Sequence, residues 1–492
     1  LDERFGIGNF EDDDLCRRAR DAGYKLAIAT DSFVHHFGGR TFFGAKVDHG
    51  TLMRRNEELY REKWGNGQAP RVEGRGPEEE GQSSFIASAG SQLSALSPQL
   101  SLCMIARDNE RTITPALEII RRYVDDIVVV DTGSTDRTPE TAASLGARVF
   151  HFPWCDDFSA ARNESIRHVL GQWIFWMDTD DVIDSENAAK IRELVSRDVS
   201  PTVLGFLMKV RCPTTDENGN AGFIEVDQVK LFRNLPQLRF EFRIHEQILM
   251  SIRRAGGTTP WTDIFVVHAN ADTSPEGRAK KIERDLRILD LDRSERPDHP
   301  FVLFNLGMTL AEAGRHEEAI GFLWHSIGRA GDDESHLRKS YALLVSSYRH
   351  LGRHVTAWDS CLKGLKQFPD DAELRFRQAT MLRDFGNLPD AARAFEDLLA
   401  MQNSRHLSSV DRGLKGYRAR HNLAAIYCDL GDFARAESLW KQVIQEVPAF
   451  RPAWCGLGDV LARQGKTDEA RQLATRRTSV ARPDHRKPWF SA

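Results

Sequence analysis

The sequence predicts an α/β domain with a mostly parallel sheet, followed by an all-α domain built from helical repeats. Three observations lead to this fold class. Apolar, strand-like runs alternate with helix-like segments between residues 100 and 183. Beyond residue 298 a glycine recurs at nearly regular spacing. A shorter segment of α/β character occupies residues 1–65, and the 492-residue chain has room for several domains.

Composition narrows the function classes before any motif is considered. The net charge of −5 gives no electrostatic basis for a nucleic-acid partner. The seven cysteines form no Cys-x-x-Cys pair, which indicates a reducing compartment and argues against a disulfide framework or a zinc ribbon. No apolar run reaches the roughly 18 residues of a membrane span, and no signal peptide is recognisable. We therefore expect a cytoplasmic protein, either free or attached peripherally to the inner face of the membrane. The chain begins at Leu1 without Met, so an N-terminal portion could be missing.

The first 65 residues form a compact pattern of their own. Residues 10–16 are mostly acidic and run into a helix-like segment that Gly23 closes. Acids at a helix start interact favourably with the helix dipole, which is the simplest explanation of the acidic run. A strand-like segment follows at residues 25–29. Residues 66–99 are dominated by Gly, Pro, Glu, Ser and Gln, a composition that predicts a disordered linker.

The segment from residue 100 to residue 183 alternates strands and helices. In order, the predicted elements are a strand at 100–105, a helix at 113–124, a strand at 127–130, a strand at 148–150, a helix from 158 and a strand at 173–177. This alternation places successive strands parallel in one Rossmann-like sheet. The carboxyl ends of such strands gather at one edge, which is where open α/β sheets bind ligands.

The last of these strands stops at three aspartates, Asp178, Asp180 and Asp181. Crowded acids with no basic residue among them repel one another unless a cation is bound, so this cluster is a candidate Mg²⁺ or Mn²⁺ site. The alternative is a helix N-terminus that Asp181 or Asp184 caps. Both interpretations can hold, because Asp184 or Ser185 can cap the helix while Asp178 and Asp180 bind metal.

A loop of small residues at 131–136 follows the second strand and opens the next helix. Backbone N–H groups in such a loop can face an anion. The alternative is that Asp131 and Asp136 are ordinary turn-forming residues.

The region from residue 298 to residue 475 consists of repeats. Its glycines stand at 314, 352, 386, 431 and 465, with spacings of 38, 34, 45 and 34 residues. The tetratricopeptide period is about 34 residues, so the longer intervals place insertions near 331–337 and 403–413. The pattern predicts a tetratricopeptide repeat (TPR) solenoid, whose concave face commonly binds peptides or partner proteins. The tryptophans at 324, 358, 440 and 454 are expected in its core.

Four motifs in the α/β region occur together in one order. A strand ends near Asn109-Glu110, and Val-Asp-x-Gly-Ser-x-Asp, Ala-Arg-Asn and Asp-x-Asp follow within about eighty residues. This set resembles the nucleotide-sugar half of a GT-A glycosyltransferase of family 2. With repeats after it, the chain resembles most closely the bacterial branch that includes peptide S-glycosyltransferases and lipopolysaccharide-core glucosyltransferases.

The resemblance implies roles for particular residues. Asp131 would recognise the uracil or ribose, and Asp178 and Asp180 would contact the ribose and the metal-bound diphosphate. Arg162 would lie near the base or the diphosphate, and Asp108 would belong to the same nucleotide-sugar site. A surface ion pair is the alternative for Arg162.

A second half, with strands expected at 202–210 and 222–232, would complete this domain. His245-Glu246 after a basic strand also occurs in this branch, and Glu246 is the candidate general base for an inverting transfer. His245 would contact the acceptor or orient Glu246, and the alternative is an exposed pair at a strand end. In the family a histidine at the place of His268 can complete the metal shell. Here Ala269-Asn270 follow instead of Gly-Tyr, so a structural role for His268 stays open.

The N-terminal segment resembles the C-terminal end of another family 2 catalytic domain. By that resemblance an acid of the Glu11-Asp12 pair would be its general base, and His35 would lie near its metal. The nucleotide-binding half that should precede it is absent from the sequence, so we expect a remnant that is inactive alone.

Together these expectations describe a metal-dependent inverting glycosyltransferase that uses a nucleotide sugar, with UDP as the expected nucleotide. The acceptor would be a glycan, a lipid-linked or lipopolysaccharide-type molecule, or a peptide, and a protein partner on the TPR face is a further expectation. The competing interpretation is a non-catalytic TPR scaffold with a degenerate transferase domain. The expected domains are a remnant at 1–65, a linker at 66–99, the GT-A domain at 100–295 and the repeats at 296–480.

Overall fold

The computed structural model describes residues 99–215, 221–268, 274–332, 334–402 and 410–479, with a few isolated positions upstream. The expected N-terminal remnant and linker, including Glu11, Asp12 and His35, lie outside the described residues and stay predictions. The chain divides into two compact units, and the second, Leu93–Ala492, contains both the α/β region and the repeats.

The predicted strand–helix alternation is confirmed. In chain order the elements are β1 (Leu100–Ala106), α1 (Ile113–Ile120), β2 (Asp126–Asp131), α2 (Thr138–Ser144), β3 (Arg148–His151), α3 (Phe158–Arg167), β4 (Trp173–Trp176), β5 (Asp181–Val182), α4 (Ser185–Ser196), β6 (Gly205–Thr215), β7 (Ala221–Arg233), α5 (Leu249–Arg254), β8 (Trp261–His268) and α6 (Pro275–Glu295). The apolar faces of β1, β2 and β4 are buried against helices on both sides, which accounts for their uninterrupted hydrophobic runs.

The sheet combines a parallel half with a mixed half. The strand order is β3-β2-β1-β4-β7-β6-β8-β5. Strands β1 to β4 pair in parallel, whereas β7 joins β4 antiparallel and forms a long hairpin with β6. The short β5 pairs with β8, and its register sets Asp181 opposite His268. This pairing brings the aspartate cluster after β4 next to a histidine that is distant in sequence.

The predicted basic strand before Glu246 is wrong. Residues 240–248 form a loop with one isolated bridge, between Glu241 and Gln247. Phe242 and His245 have positive φ angles of 73° and 55°, which a continuous strand cannot contain. Because the loop folds back over the domain, His245 is not exposed, contrary to the alternative of an exposed strand-end pair.

The repeats form antiparallel helical hairpins as predicted. The helices are α7 (Pro300–Glu312), α8 (His316–Arg329), α9 (His336–His350), α10 (His354–Gln367), α11 (Ala372–Asp384), α12 (Leu388–Ala400), α13 (Tyr417–Asp429), α14 (Phe433–Glu446), α15 (Arg451–Arg463) and α16 (Thr467–Ser479). The five repeat glycines all have φ between 71° and 82°. Each therefore ends the first helix of a hairpin in the left-handed conformation that glycine adopts without strain.

Two connections join the α/β region to the repeats. Phe242 and Ile244 of the folded-back loop pack with Ile288 of α6 and with Val302 and Leu306 of α7 in one buried cluster. The insertion predicted near 403–413 contributes a short strand, β9 (Val410–Asp411), which pairs antiparallel with β7. None of the described helices has the length and apolarity needed to cross a membrane.

Candidate active site

The candidate site lies at the carboxyl ends of β1, β2 and β4. These strands are parallel neighbours, so the residues that follow them meet at one edge of the sheet. Asp108 follows β1, Asp131 ends β2, and Asp178 follows β4. The structure thus brings together the acids that the sequence predicted at strand ends.

Asp131 and Asp108 bind the small-residue loop from two sides. Asp131 is buried, and its carboxylate accepts hydrogen bonds from the backbone N–H groups of Gly133 (3.1 Å) and Ser134 (3.2 Å). Asp108 accepts from the backbone N–H of Thr135 at 2.7 Å and from its hydroxyl at 3.0 Å, and these bonds lower the pKa of the Asp108 carboxyl. Asp131 therefore does stabilise the turn that follows it, which was the alternative role considered for this residue.

The loop does not offer free N–H groups to an anion, contrary to expectation. The backbone N–H groups of Gly133, Ser134 and Thr135 already donate to the carboxylates of Asp131 and Asp108. At the start of α2, Asp136 accepts from the N–H of Thr138 at 2.9 Å. The backbone N–H groups of this loop are thus bonded to aspartate carboxylates of the protein itself, which are strong acceptors for them.

Arg162 of α3 connects two of the predicted site residues. Its Nη2 lies 2.5 Å from Asp178 Oδ1, and its Nε donates to Glu246 Oε1. Its guanidinium carbon lies 4.1 Å from the ring centroid of Trp176. Only 5% of Arg162 is exposed, so the alternative of a surface ion pair is wrong. Burial alone would lower the pKa of Arg162, but Glu246 and Asp178 outweigh it and raise that pKa.

Lys230 of β7 is a second buried cation at the site, and the sequence analysis did not identify it. It is fully buried, with Nζ 2.7 Å from Asp181 Oδ2 and 3.8 Å from Asp178 Oδ2. Although burial opposes ionisation, Arg162 and Lys230 together hold the pKa of Asp178 far below its usual range. A charged residue inside the apolar run Val229-Lys230-Leu231-Phe232 was the available signal.

His268 lies between two aspartates. Its Nε2 is 3.2 Å from Asp180 Oδ2, and its Nδ1 is 3.0 Å from Asp181 Oδ1. Burial by itself would lower the pKa of His268, but the bond to Asp181 and the charge of Asp180 raise it to about 9. Burial also raises the pKa of Asp180, against the opposing effect of His268.

The residues around Asp180 fit a divalent ion. Potential ligand atoms of Asp178, Asp180, Asp181 and His268 all lie within 4.8 Å of one another. Carboxylate oxygens suit Mg²⁺ and Mn²⁺, and the His268 imidazole adds a nitrogen ligand once a bound ion displaces its proton. The fold also supplies Arg162, Lys230 and His268 as basic partners of these acids, so a bound metal would not be the only cation beside them. Asp184 caps α4 through the N–H of Asn187, as one interpretation predicted.

Glu246 approaches the same centre from the folded-back loop. Its side chain is 11% exposed and is held by Arg162. His245 is half-buried, and burial lowers its pKa. Among the described residues His245 Nε2 has no hydrogen-bond partner. The structure therefore joins Glu246 to the acidic cluster through Arg162. Nε2 of His245 makes no hydrogen bond among the described residues.

A cavity of about 190 Å³ begins beside Glu246 and extends to the repeats. Trp176 and Phe240 line its α/β side, and Phe304 and Met308 of α7 line its other side. The site predicted in one domain thus opens onto the surface of the next domain.

Comparison with known proteins agrees with the division of the described chain into an α/β domain and a repeat domain. Residues 101–252 match the family described as Glycosyl transferase family 2. Residues 300–321, 362–406 and 421–481 match tetratricopeptide repeat families. The predicted resemblance to a family 2 domain followed by TPR repeats is confirmed for these residues.

Individual relatives share parts of this organisation. A TPR repeat-containing protein of Synechococcus elongatus is 31% identical over 229 residues, covering 45% of this chain and 55% of the relative. The SPbeta prophage-derived glycosyltransferase SunS of Bacillus subtilis is 24% identical over 300 residues, covering 59% of this chain and 68% of SunS. The solved structure of a thermophilic TPR protein from Thermus thermophilus is 16% identical, with a TM-score of 0.29, over 37% of this chain and 92% of that chain. The chain thus spans about half the length of the Synechococcus relative.

Proposed function

Starting from a glycosyltransferase family 2 domain at residues 101–252 followed by TPR repeats, we propose that this protein is a metal-dependent inverting glycosyltransferase. The donor is a nucleotide sugar, and UDP is the nucleotide we propose. The observation that carries the proposal is the cluster of Asp178, Asp180 and His268 at the sheet edge, with Arg162 and Glu246 joined to it. A divalent ion, Mg²⁺ or Mn²⁺, belongs to the same proposal.

The donor is held by residues from three strand ends. Asp131 and Asp108 shape the loop after β2 and provide carboxylate oxygens for the nucleoside. Asp180, His268 and Asp178 would hold the ion, which supplies positive charge to the diphosphate leaving group when bound. Arg162, fixed by two carboxylates and the Trp176 ring, orients Asp178 toward that position.

Glu246 is the proposed general base. Inversion requires a carboxylate on the acceptor side to take a proton as the acceptor attacks the anomeric carbon. Glu246 borders both the cluster, through Arg162, and the cavity that leads to the repeats. His245 is proposed as an acceptor contact, because its buried Nε2 has no partner among the described residues.

The acceptor would reach Glu246 through the cavity between the sheet and α7. Its walls come from the family 2 domain and from the first two repeats. A glycan, a lipid-linked molecule and a peptide are the acceptor classes we propose, and a protein partner would bind along the concave TPR face. We propose a cytoplasmic location, with peripheral membrane association for a lipid-linked acceptor.

The first test is donor hydrolysis, because it needs no acceptor. Release of UDP from a panel of UDP-sugars is measured with Mg²⁺ or Mn²⁺, for the wild type and for Asp180→Ala. We expect metal-dependent release from one donor and at least a hundredfold loss in the variant. If neither UDP release nor UDP binding by calorimetry is detected in the wild type, the catalytic proposal is wrong.

The second candidate function is a TPR scaffold whose α/β domain does not catalyse transfer. The observation in its favour is that Arg162, Lys230 and His268 already neutralise most of the acidic cluster without a metal. The scaffold predicts no UDP binding and no response of thermal stability to Mn²⁺. The same calorimetry therefore separates the two functions.

A further inference from the structure

Lys230 is the feature that the proposed reaction does not explain. It is fully buried on β7, 2.7 Å from Asp181 Oδ2, with Nζ 3.6 Å from the ring centroid of Trp176. A buried ammonium group is costly unless it is paired and hydrogen-bonded. Its presence in the middle of an apolar strand therefore points to a role at the acidic cluster.

The sheet fixes where the Lys230 charge lies. Phe175 of β4 pairs with Leu231 of β7, so Lys230 stands next to the point where β4 ends and the aspartates begin. Two paired strands hold this position more firmly than a loop would. The ammonium is thus a permanent part of the cluster, in contact with Asp181 and close to Asp178.

Two permanent cations offset part of the negative charge of the cluster before any ion binds. Four carboxylates, those of Asp178, Asp180, Asp181 and Glu246, face the guanidinium of Arg162 and the ammonium of Lys230. Asp181 is fully buried and engaged by Lys230 and His268, whereas Asp180 is partly exposed. A divalent ion that approaches Asp180 therefore meets a site whose negative charge Lys230 and Arg162 have already reduced.

We propose that Lys230 sets the affinity of this site for its divalent ion. It withdraws Asp181 from the ligand set, and its charge repels a second cation a few ångströms away. The ion then binds firmly only together with a nucleoside diphosphate, which brings the missing negative charge. This inference rests on the proposed function, because it assumes that Asp180 and His268 hold the ion. Lys230 is a positioning residue, and it acts through Asp181 and Asp178.

The test is Mn²⁺ binding, measured by calorimetry and by electron paramagnetic resonance, with and without UDP. For the wild type we expect weak binding that UDP strengthens at least tenfold. For Lys230→Met we expect Mn²⁺ alone to bind at least tenfold more tightly than to the wild type, with a larger rise in melting temperature on Mn²⁺ addition. Lys230→Arg, which keeps the charge, should resemble the wild type. A residue that served packing alone would not produce a gain in affinity.

The double variant Asp181→Asn/Lys230→Met is the matched control, because it removes both charges of the pair. Wild-type Mn²⁺ affinity in this variant agrees with the inference, and the variant keeps the inference open to refutation even if Lys230→Met fails to fold. Affinity at least tenfold weaker than the wild type would mean that Asp181 is itself a ligand, which overturns the inference.

Failure of the inference and failure of the proposed function give different results. If Mn²⁺ binds the wild type with UDP but the folded Lys230→Met variant shows no gain, only the role of Lys230 is wrong. If the wild type binds no Mn²⁺ even with UDP, the proposed metal dependence is wrong and the inference fails with it.

Discussion

Arg162 holds the candidate site together at the scale of a single residue. It pairs Asp178 from one strand end with Glu246 from a loop that is 84 residues distant in sequence. Arg162→Met should leave two carboxylates without their partner, and breaking a buried ion pair in this way costs about 3–5 kcal/mol. We expect a lower melting temperature and loss of UDP release.

Arg162→Lys is the control for that prediction. It keeps one positive charge but lacks the planar fork that reaches two carboxylates at once. The Lys variant should therefore recover part of the stability and little of the activity. Wild-type UDP release from Arg162→Lys, measured under the conditions used for Asp180→Ala, would contradict the bridging role.

The acids of this site could be predicted from the sequence, and their basic partners could not. Asp131, Asp178 and Asp180 directly follow apolar strands, and parallel strands bring such positions together. Lys230 and His268 reach the cluster only through the pairings of β4 with β7 and of β5 with β8. Those pairings depend on strand order, which local periodicity does not encode. For this reason the sequence-based interpretation contained the metal site but not the basic partners of its acids.

At the scale of elements, one of the repeat hairpins depends on a half-buried neutral histidine, His421. The Nε1–H of Trp440 in α14 donates to Nδ1 of His421 in α13 at 3.1 Å, so that nitrogen must be unprotonated. Burial lowers the pKa of His421 to about 4, and Arg383 adds to the effect. The packing of α13 against α14 therefore requires the neutral imidazole.

This requirement predicts a pH dependence of stability. Above the unfolded pKa of about 6.5 both states are neutral and His421 contributes no pH dependence. As pH falls from about 6.5 toward 4, the unfolded chain takes up a proton that the folded chain does not, so the free energy of unfolding decreases by at most about 3 kcal/mol. His421→Gln keeps a hydrogen-bond acceptor for Trp440 and removes the titration. Melting temperatures between pH 7 and 4.5 should fall more steeply for the wild type than for this variant, and parallel slopes would contradict the prediction.

Elements with strong periodicity followed their prediction, whereas the segment at 240–248 did not. Its apolar and basic residues suggested a strand, but Phe242 and Ile244 instead pack against α6 and α7. Burial against helices that come later in the chain outweighs local strand propensity. The same contact brings Glu246 back toward Arg162, so the failed strand prediction coincides with the position of the proposed general base.

At the scale of the whole molecule, the sequence predicted both domains but not how they meet. The glycine spacing indicated the solenoid, and the strand-end motifs indicated the α/β domain. Their junction depends on the buried cluster around Phe242 and on β9, which adds a strand from the repeat insertion to β7. A strand of only two residues, such as β9, leaves too weak a pattern in the sequence to be predicted.

Because the two domains meet in this way, transfer of sugar to the acceptor should depend on a residue of the repeats, whereas hydrolysis of the donor should not. Met308 of α7 lines the cavity that Glu246 borders, yet it belongs to the first repeat. Met308→Trp places an indole in the cavity of about 190 Å³ and narrows the proposed acceptor path. UDP release without acceptor should stay within about twofold of the wild type, because the donor residues are untouched.

Transfer itself should fall at least tenfold in Met308→Trp, measured as label passing from a radioactive UDP-sugar into peptide and glycan acceptors of a bacterial extract. Met308→Leu conserves volume and should behave like the wild type in both assays. Equal loss of hydrolysis and transfer in Met308→Trp would show that the substitution disturbs the donor site. Unchanged transfer would mean that the acceptor does not pass between the sheet and the first repeat. A selective loss of transfer would make the repeats part of the catalytic path, which neither domain alone could reveal.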